Sequence, residues 1–249
     1  MPRTTGPPGV SVSSKLLAVL GCFDVHRPTL TLTEIARQVD LPVSTARRLI
    51  LELTEWGGLE RLPDGRYRVG MRLWEIGSSA PQQRDLRDAA RPFMQDLYEA
   101  TKENVQLIVL DGLEALCVEK IYGTRAVPTE TNVGGRMPLH ATGAGKAILA
   151  FSPRQLLVDL IDAGLARCTP YTLVEPGRLA AALKKTRETG LAYSQEEKTY
   201  GVVSVSSPIL DTDKQPLGAV AIVARLGAPI DRLGPAVRTA VLSISRIIR

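Results

Sequence analysis

Residues 29–70 run TLTLTEIARQVDLPVSTARRLILELTEWGGLERLPDGRYRVG, and the order of elements in this stretch decides the fold of the N-terminal part of the chain. Thr33 stands where a helix N-cap is expected, and Glu34-Ile35-Ala36-Arg37-Gln38-Val39 puts Ile35, Ala36 and Val39 on one face at helical spacing. Asp40-Leu41-Pro42 breaks that helix, because Pro42 removes a backbone donor and disfavours helical geometry at Leu41. Ser44 or Thr45 can then supply the oxygen that caps a further helix. Over Val43 to Trp56 the residues Ala46, Leu49, Ile50, Leu53 and Trp56 form a stripe that can pack, leaving Ser44, Thr45, Arg47, Arg48 and Glu52 outside. Gly57 and Gly58 end this helix. Leu59-Glu60-Arg61-Leu62, Pro63-Asp64-Gly65 and Arg66-Tyr67-Arg68-Val69 read as strand, turn and strand, with the Asp-Gly pair providing the positive φ angles of a tight hairpin.

A first helix is expected over Ser11 to Phe23, on Leu16, Leu17, Val19 and Leu20. Two short helices, a tight turn, a third helix and a basic hairpin make a winged helix-turn-helix, a device that places one helix in the major groove of double-stranded DNA. The exposed first turn of the third helix carries hydroxyls and guanidiniums. Arginine bonds guanine in bidentate fashion, hydroxyls bond base edges or phosphates, and a helix N-terminus favours a phosphate. The candidate DNA-binding residues are Thr33, Ser44, Thr45, Arg47 and Arg48, with Arg66 on the wing.

At 249 residues the chain has room for a small domain and a larger one able to bury a sizeable core. Its formal charge of +5 and isoelectric point near 9.2 suit a polyanionic partner without demanding one, since 26 acidic residues offset 31 basic ones. Cys22, Cys117 and Cys168 are odd in number and lack Cys-x-x-Cys spacing, so neither a disulfide framework nor a zinc site is indicated; buried thiols in a reducing compartment are expected. No cofactor or metal is implied. Residues 1–10 form an expected flexible leader without the apolar core of a signal peptide, and no run approaches membrane-spanning length, so a cytoplasmic location without a membrane partner is expected.

Gly70 to Ser79 predicts a short helix, and a domain boundary falls between 71 and 86. Residues 82–102 predict a helix with Leu86, Ala90, Phe93, Met94 and Leu97 on one side, kinked or divided at Pro92. The period then changes. Strands are expected over 105–110, 115–121, 126–131, 191–194, 202–210 and 217–224, with helices near 143–150, 153–163, 176–189 and 230–249. The fold class is α+β: a winged helix-turn-helix domain over 11–72, a linker and connecting helix over 73–102, and a sheet domain with helices over 103–249.

Leu32-Thr33-Glu34-Ile35-Ala36, Leu41-Pro42-x-Ser44-Thr45-x-x-Arg48-Leu49 and Gly65-Arg66-Tyr67-Arg68-Val69-Gly70 resemble the DNA-binding half of the IclR family of bacterial transcriptional regulators. Pro138-Leu139-His140-Ala141-Thr142-Gly143-Ala144-Gly145-Lys146-Ala147-Ile148-Leu149-Ala150, and Glu196-Glu197 followed by Gly201-Val202, are similar to its effector half. The resemblance implies a GAF-like effector-binding domain, small organic acids as effectors, and homodimers or homotetramers on a palindromic operator.

Thr142 to Lys146 does not make a nucleotide site. A P-loop needs glycine where His140 sits and serine or threonine where Ala147 sits, and a Rossmann fingerprint needs glycine at Ile148. Gly143, Ala144 and Gly145 instead let the chain pass close to a carboxylate held by helix amides, or let a helix pack close on a sheet. His140 precedes them as a possible ligand neighbour. If the family pattern carries over, Ser204, Ser206, Ala221 and Val223 form the facing wall, and Ser194 lies at its corner. Members of the family often carry cysteine at the position of Ser204 and an acid at that of Ser194, and some carry serines at those of Ala221 and Val223. These departures predict a carboxylate with an aromatic or aliphatic body over a very small oxo-acid.

His26 and His140 are the two histidines, and no Gly-x-Ser-x-Gly elbow accompanies them, so no catalytic residue is named and the chain is not expected to be an enzyme. The expected function is sequence-specific DNA binding modulated by a small organic acid. The alternative is a metabolite sensor or scaffold that acts through protein contacts without specific DNA binding.

Overall fold

A computed structural model describes residues 11–24, 27–79, 81–122, 127 and 131–248. The expected leader, His26 and most of the strand expected over 126–131 lie outside these residues; Val127 and Thr131 themselves are not in a strand. The chain divides between Pro81 and Gln82 into two units.

The first unit contains α1 (Val12–Leu20), β1 (Thr29–Leu30), α2 (Leu32–Gln38), α3 (Val43–Trp56), β2 (Leu59–Arg61), β3 (Tyr67–Val69) and α4 (Met71–Ser78). Ser11 caps α1 by accepting from the Ser14 amide at 3.0 Å, and the helix ends short of the expected Phe23. The three strands form an antiparallel sheet in the order β1-β3-β2, in which β1 was not anticipated. Val19, Ile35, Leu49, Ile50, Leu53, Leu59 and Tyr67 make one buried core, so the apolar stripes of α2 and α3 face inward as their spacing requires.

Several local expectations are corrected. Thr31, not Thr33, is the N-cap of α2: its hydroxyl accepts from the Glu34 amide at 3.3 Å, and the Glu34 carboxylate accepts from the Thr31 amide at 2.7 Å. This reciprocal box needs Thr-x-x-Glu spacing, which only Thr31 has. Thr33 lies exposed in the first turn. Neither Ser44 nor Thr45 caps α3, whose N-cap is Pro42 without a side-chain bond. Trp56 is 38% exposed instead of packing with the stripe, and the Arg72 guanidinium lies 4.8 Å from its ring centroid. In the hairpin only Gly65 takes a positive φ, of 84°; the Asp64 carboxylate instead accepts from the Arg66 amide at 3.0 Å.

The second unit runs α5 (Pro81–Thr101), β4 (Asn104–Asp111), β5 (Glu114–Ile121), β6 (Arg136–Pro138), α6 (Gly143–Phe151), α7 (Arg154–Asp162), α8 (Pro176–Thr189), β7 (Ala192–Gln195), β8 (Val202–Leu210), β9 (Pro216–Arg225) and α9 (Ile230–Ile247). Helix α5 is one element, not divided at Pro92. The sheet has six antiparallel strands in the order β6-β5-β4-β9-β8-β7. Alternation along the strands sorts two cores. Val105, Leu107 and Val109 of β4 and Val220 and Ile222 of β9 join α5 and α9, while Ile108, Ala219, Ala221 and Val223 join α6 and α8. The sheet therefore has helices on both faces, and the architecture is α+β.

Cys22 and Cys117 are buried, but Cys168 is exposed, which corrects the expectation that all three thiols are covered. Burial pushes the Cys117 thiol up to about 11. Among the described residues no helix is long and apolar enough to cross a membrane.

The bond from the Thr31 amide, then that from its hydroxyl, holds the Glu34 carboxyl below its ordinary value. A lowered carboxyl value means stability that is present above the unfolded value of 4.5 and lost as pH falls through the folded one. Thr31→Ala should cost about 1 kcal/mol in urea denaturation of this unit. Glu34→Gln should be less stable than the wild type at neutral pH, and the gap should close as the pH falls below 4.5 and through the lowered folded value. A gap unchanged by acid would mean that the carboxylate does not act through its charge.

Candidate functional site

In the first unit α3 buries Ala46, Leu49, Ile50 and Leu53, which turns Ser44, Arg47 and Arg48 outward as exposed residues and leaves Thr45 half-buried. The Pro42 carbonyl accepts from the Thr45 and Ala46 amides at 2.9 and 3.0 Å. The amides of Val43 and Ser44 thus have no acceptor within the helix and add positive potential beside the two arginines. Neither arginine makes an ion pair among the described residues. On the wing, Arg68 is paired with Glu60 at 2.8 Å, whereas the Arg66 guanidinium stays 3.9 Å from Asp64 and is 44% exposed. The face that results is cationic and carries hydroxyls, a composition suited to phosphate and base edges.

The second unit contains a cavity of about 60 Å³ on the α6 face of the sheet. By the measure in which one water needs roughly 10–15 Å³, it has room for a compact guest. Strands β7, β8 and β9 contribute Ser194, Ser204, Ala221 and Val223 to its wall, and the start of α6 contributes Gly143 and Ala144. Three expected site residues lie outside this lining. His140 is 2% exposed, and its Nε2 is 2.9 Å from the Ala166 carbonyl oxygen, so it ties two loops together. Gly145 is packed against the chain before the helix: a β-carbon there would sit 2.2 Å from the Leu139 carbonyl oxygen. Ser206 is fully buried, with no partner for its hydroxyl among the described residues.

Gly143 has a different surrounding. A β-carbon on it would meet the Ser204 Oγ at 2.7 Å and the Ser206 Oγ at 2.8 Å, so the two serines converge on the first residue of α6. They do so because residues 204 and 206 share one face of β8. Thr142 caps α6, its hydroxyl accepting from the Gly145 amide at 3.0 Å. The Lys146 amide bonds the Thr142 carbonyl at 3.0 Å, so the amides of Gly143 and Ala144 are left without acceptors in the helix and border the cavity.

Sequence reasoning missed several wall residues. Thr142 was legible as a threonine just before a helix; Gln106, Met137 and Thr199 carry no local signal. Lys198 is the sole charged side chain in the lining among the described residues. Its predecessor Glu197 forms a buried ion pair with Lys146, Nζ to Oε1 2.5 Å. Burial, outweighing the attraction of Glu197, lowers the Lys146 value. The Glu197 carbonyl accepts from the Thr172 hydroxyl at 2.6 Å, and the Glu196 carbonyl from the Thr169 hydroxyl at 2.6 Å. With one lysine, two open amides and no carboxylate among the described residues of its lining, the cavity suits an anion.

Known proteins share this architecture. The family model described as the IclR helix-turn-helix domain matches residues 14–63, and that of the bacterial transcriptional regulator IclR C-terminal matches residues 78–246. The transcriptional repressor IclR of Escherichia coli is 33% identical over 209 residues, 82% of this chain and 75% of its own. The acetate operon repressor of Salmonella typhimurium is 34% identical over 225 residues, 88% of this chain and 82% of its own. These relatives are transcriptional regulators, not enzymes. Among solved structures, an IclR homolog from Microbacterium hydrocarbonoxydans complexed with 4-hydroxybenzoate has a TM-score of 0.91 at 29% identity, covering 96% of this chain and 99% of that one. The Thermotoga maritima IclR has a TM-score of 0.77 at 30% identity, covering 94% and 97%.

The two glycines should respond differently to a methyl group. Gly145→Ala drives a β-carbon into backbone and should cost about 1–3 kcal/mol in urea denaturation, as overpacking does. Gly143→Ala meets serine hydroxyls that can rotate, and should cost less than about 1 kcal/mol. Equal losses would show that residue 143 is packed as rigidly as residue 145.

Proposed function

The chain belongs to the IclR family of bacterial transcriptional regulators, and from that membership we propose that it binds a palindromic operator whose affinity is set by a small organic acid with an aromatic or aliphatic body. The observation that carries the acid is the cavity itself: helix amides and Lys198 provide positive potential, and no acidic side chain is among the described residues that line it. Ala221 and Val223 make part of the wall apolar, which favours a hydrocarbon body over a very small oxo-acid. The 4-hydroxybenzoate bound by the Microbacterium homolog is an acid of this kind.

On this proposal residues 11–72 bind DNA, 73–102 connect, and 103–249 bind effector, in a cytoplasmic homodimer or homotetramer. Ser44, Thr45, Arg47, Arg48 and Arg66 contact DNA, and Thr33 reaches the backbone from the preceding helix. Arg48 belongs to the motif shared with the family and holds phosphate; Arg47 reads a base. His140, Gly145 and Ser206 support the effector pocket from behind or beside it, while Gly143, Ala144, Ser194, Ser204, Ala221 and Val223 line it and face the acid.

Fluorescence anisotropy on the DNA upstream of the chain's own gene, beside a scrambled duplex at equal salt, tests the regulator reading. Binding to the upstream duplex alone, changed by an added acid, supports it. Equal weak binding to both, with a steep loss in salt, is the result of charge alone and counts against specific recognition at that site. Arg47→Ala should cost about 1–3 kcal/mol on the operator and relax specificity; equal weakening on random DNA makes Arg47 a phosphate contact instead. In calorimetric titrations benzoate-type acids should bind more tightly than glyoxylate or pyruvate, and the reverse order overturns the assigned effector body.

A further inference from the structure

We infer that Gln106 reads a hydroxyl group on the effector, at the end of its body remote from the carboxylate, so that the chain selects hydroxylated acids over apolar acids of equal size. The assignment rests on the acid-effector function proposed above. Gln106 is 4% exposed, lines the cavity from β4 and makes no side-chain hydrogen bond among the described residues. Its carboxamide brings two N–H donors and a carbonyl oxygen, all of them open to a guest. An apolar guest that covers such a group displaces the water that could bond it and leaves it unsatisfied, which is costly. Adjacent polar groups do not relieve it. The Thr131 hydroxyl donates to the Met137 sulfur at 3.2 Å, and the Thr131 carbonyl accepts from the Lys120 ammonium at 2.8 Å.

Strand register separates Gln106 from the start of α6. Gln106 pairs with Ala221 of β9 and Ala221 with Ser206 of β8; one row along, Val223 of β9 pairs with Ser204 of β8. The start of α6, with the open amides of Gly143 and Ala144, stands over β8, where a β-carbon on Gly143 would meet the hydroxyls of Ser204 and Ser206. Strands β4 and β8 are two strand spacings apart, about 10 Å. Between them β9 offers only the apolar side chains of Ala221 and Val223 to the cavity. An acid whose carboxylate takes the α6 amides therefore lays its body across β9 and ends over β4, against the carboxamide of Gln106. A hydroxyl there can donate to the amide oxygen and accept from the amide nitrogen. Sites built to bond a hydroxyl reject the analogue without one far more strongly than an apolar pocket tells one methyl group from none.

Calorimetry of the full-length wild type and of Gln106→Leu against benzoate and the 3- and 4-substituted hydroxy- and methylbenzoates tests this, because hydroxyl and methyl are close in size and differ in hydrogen bonding. Thermal melting establishes that the variant is folded, and Gln106→Met replaces it if it is not. The wild type should prefer the hydroxy acid to its methyl counterpart by about tenfold in at least one of the two pairs. Gln106→Leu should abolish or invert that preference, weakening the hydroxy acid by about tenfold while the methyl acid stays within about threefold or binds more tightly. A wild type that binds benzoates without preferring hydroxyl in either pair overturns the assignment and leaves the acid-effector function standing. Equal weakening of every benzoate by Gln106→Leu also overturns it, since Gln106 would then hold the carboxylate or the packing of the wall. A wild type that binds none of the acids overturns the acid-effector function itself, and this assignment with it.

Discussion

Where a β-carbon on Gly145 would fall, the Leu139 carbonyl oxygen is only 2.2 Å away, and this close approach fixes how α6 lies on the sheet. Residues Gly143 through Ala150 of the helix are all buried, which for a helix that includes Lys146 is possible only because the charge finds Glu197. The N-terminus of α6 is thereby set against Ser204 and Ser206 of β8, whose hydroxyls would touch a side chain at residue 143. Small residues at two positions, and not a shaped loop, make room for the cavity. Larger ones would close it or lift the helix from the sheet.

The Lys146–Glu197 pair is not an economical way to stabilise that arrangement. Two charges at 3% and 10% exposure lose most of their hydration, and apolar replacements of equal volume often do as well or better. Removing one partner alone is another matter, since it leaves a buried charge and costs about 3–5 kcal/mol in typical cases. Such asymmetry gives the pair a directional function: it ties one particular loop to one particular helix turn. That loop is the segment between β7 and β8 that brings Lys198 and Thr199 to the cavity.

Features set by neighbours along the chain were legible in the sequence; features set by pairing across the sheet were not. The helices of the first unit follow from spacing, breakers and turn chemistry, and the error at Thr33 arose between two threonines of which only Thr31 has Glu34 three residues on. Trp56 fitted the stripe by period, yet it ends the helix beside Gly57, and Arg72 covers it from α4. Strand β6 was missed because three residues ending in Pro138 carry little periodic signal, and the proline is tolerable there because β6 is an edge strand. In the cavity, Ser204, Ala221 and Val223 were expected from the resemblance to the family and not from any local pattern, and all three line the wall. Gly143 and Gly145 are two residues apart with the same side chain, and only the fold shows that one meets the cavity serines and the other meets backbone. Lys198 sits in a polar loop whose sequence resembles any solvated turn.

The position of the cavity constrains how an effector can act. It opens on the α6 face, whereas α5 packs Leu86, Ala90, Met94 and Leu97 into the core on the opposite face. Strands β4 and β9 belong to both. Gln106, Ala221 and Val223 face the cavity, and the intervening Val105, Leu107, Val220 and Ile222 face the α5 core, where Leu86 also approaches Gly218 of β9. A guest that spreads or draws together the cavity walls therefore displaces residues whose immediate neighbours in the same strands support α5. In an interior packed to crystal density such a displacement is not absorbed by free volume. Differential affinity of the acid for two placements of β4 and β9 is then the physical quantity that an effector has to exploit, because a ligand that binds both placements equally shifts neither.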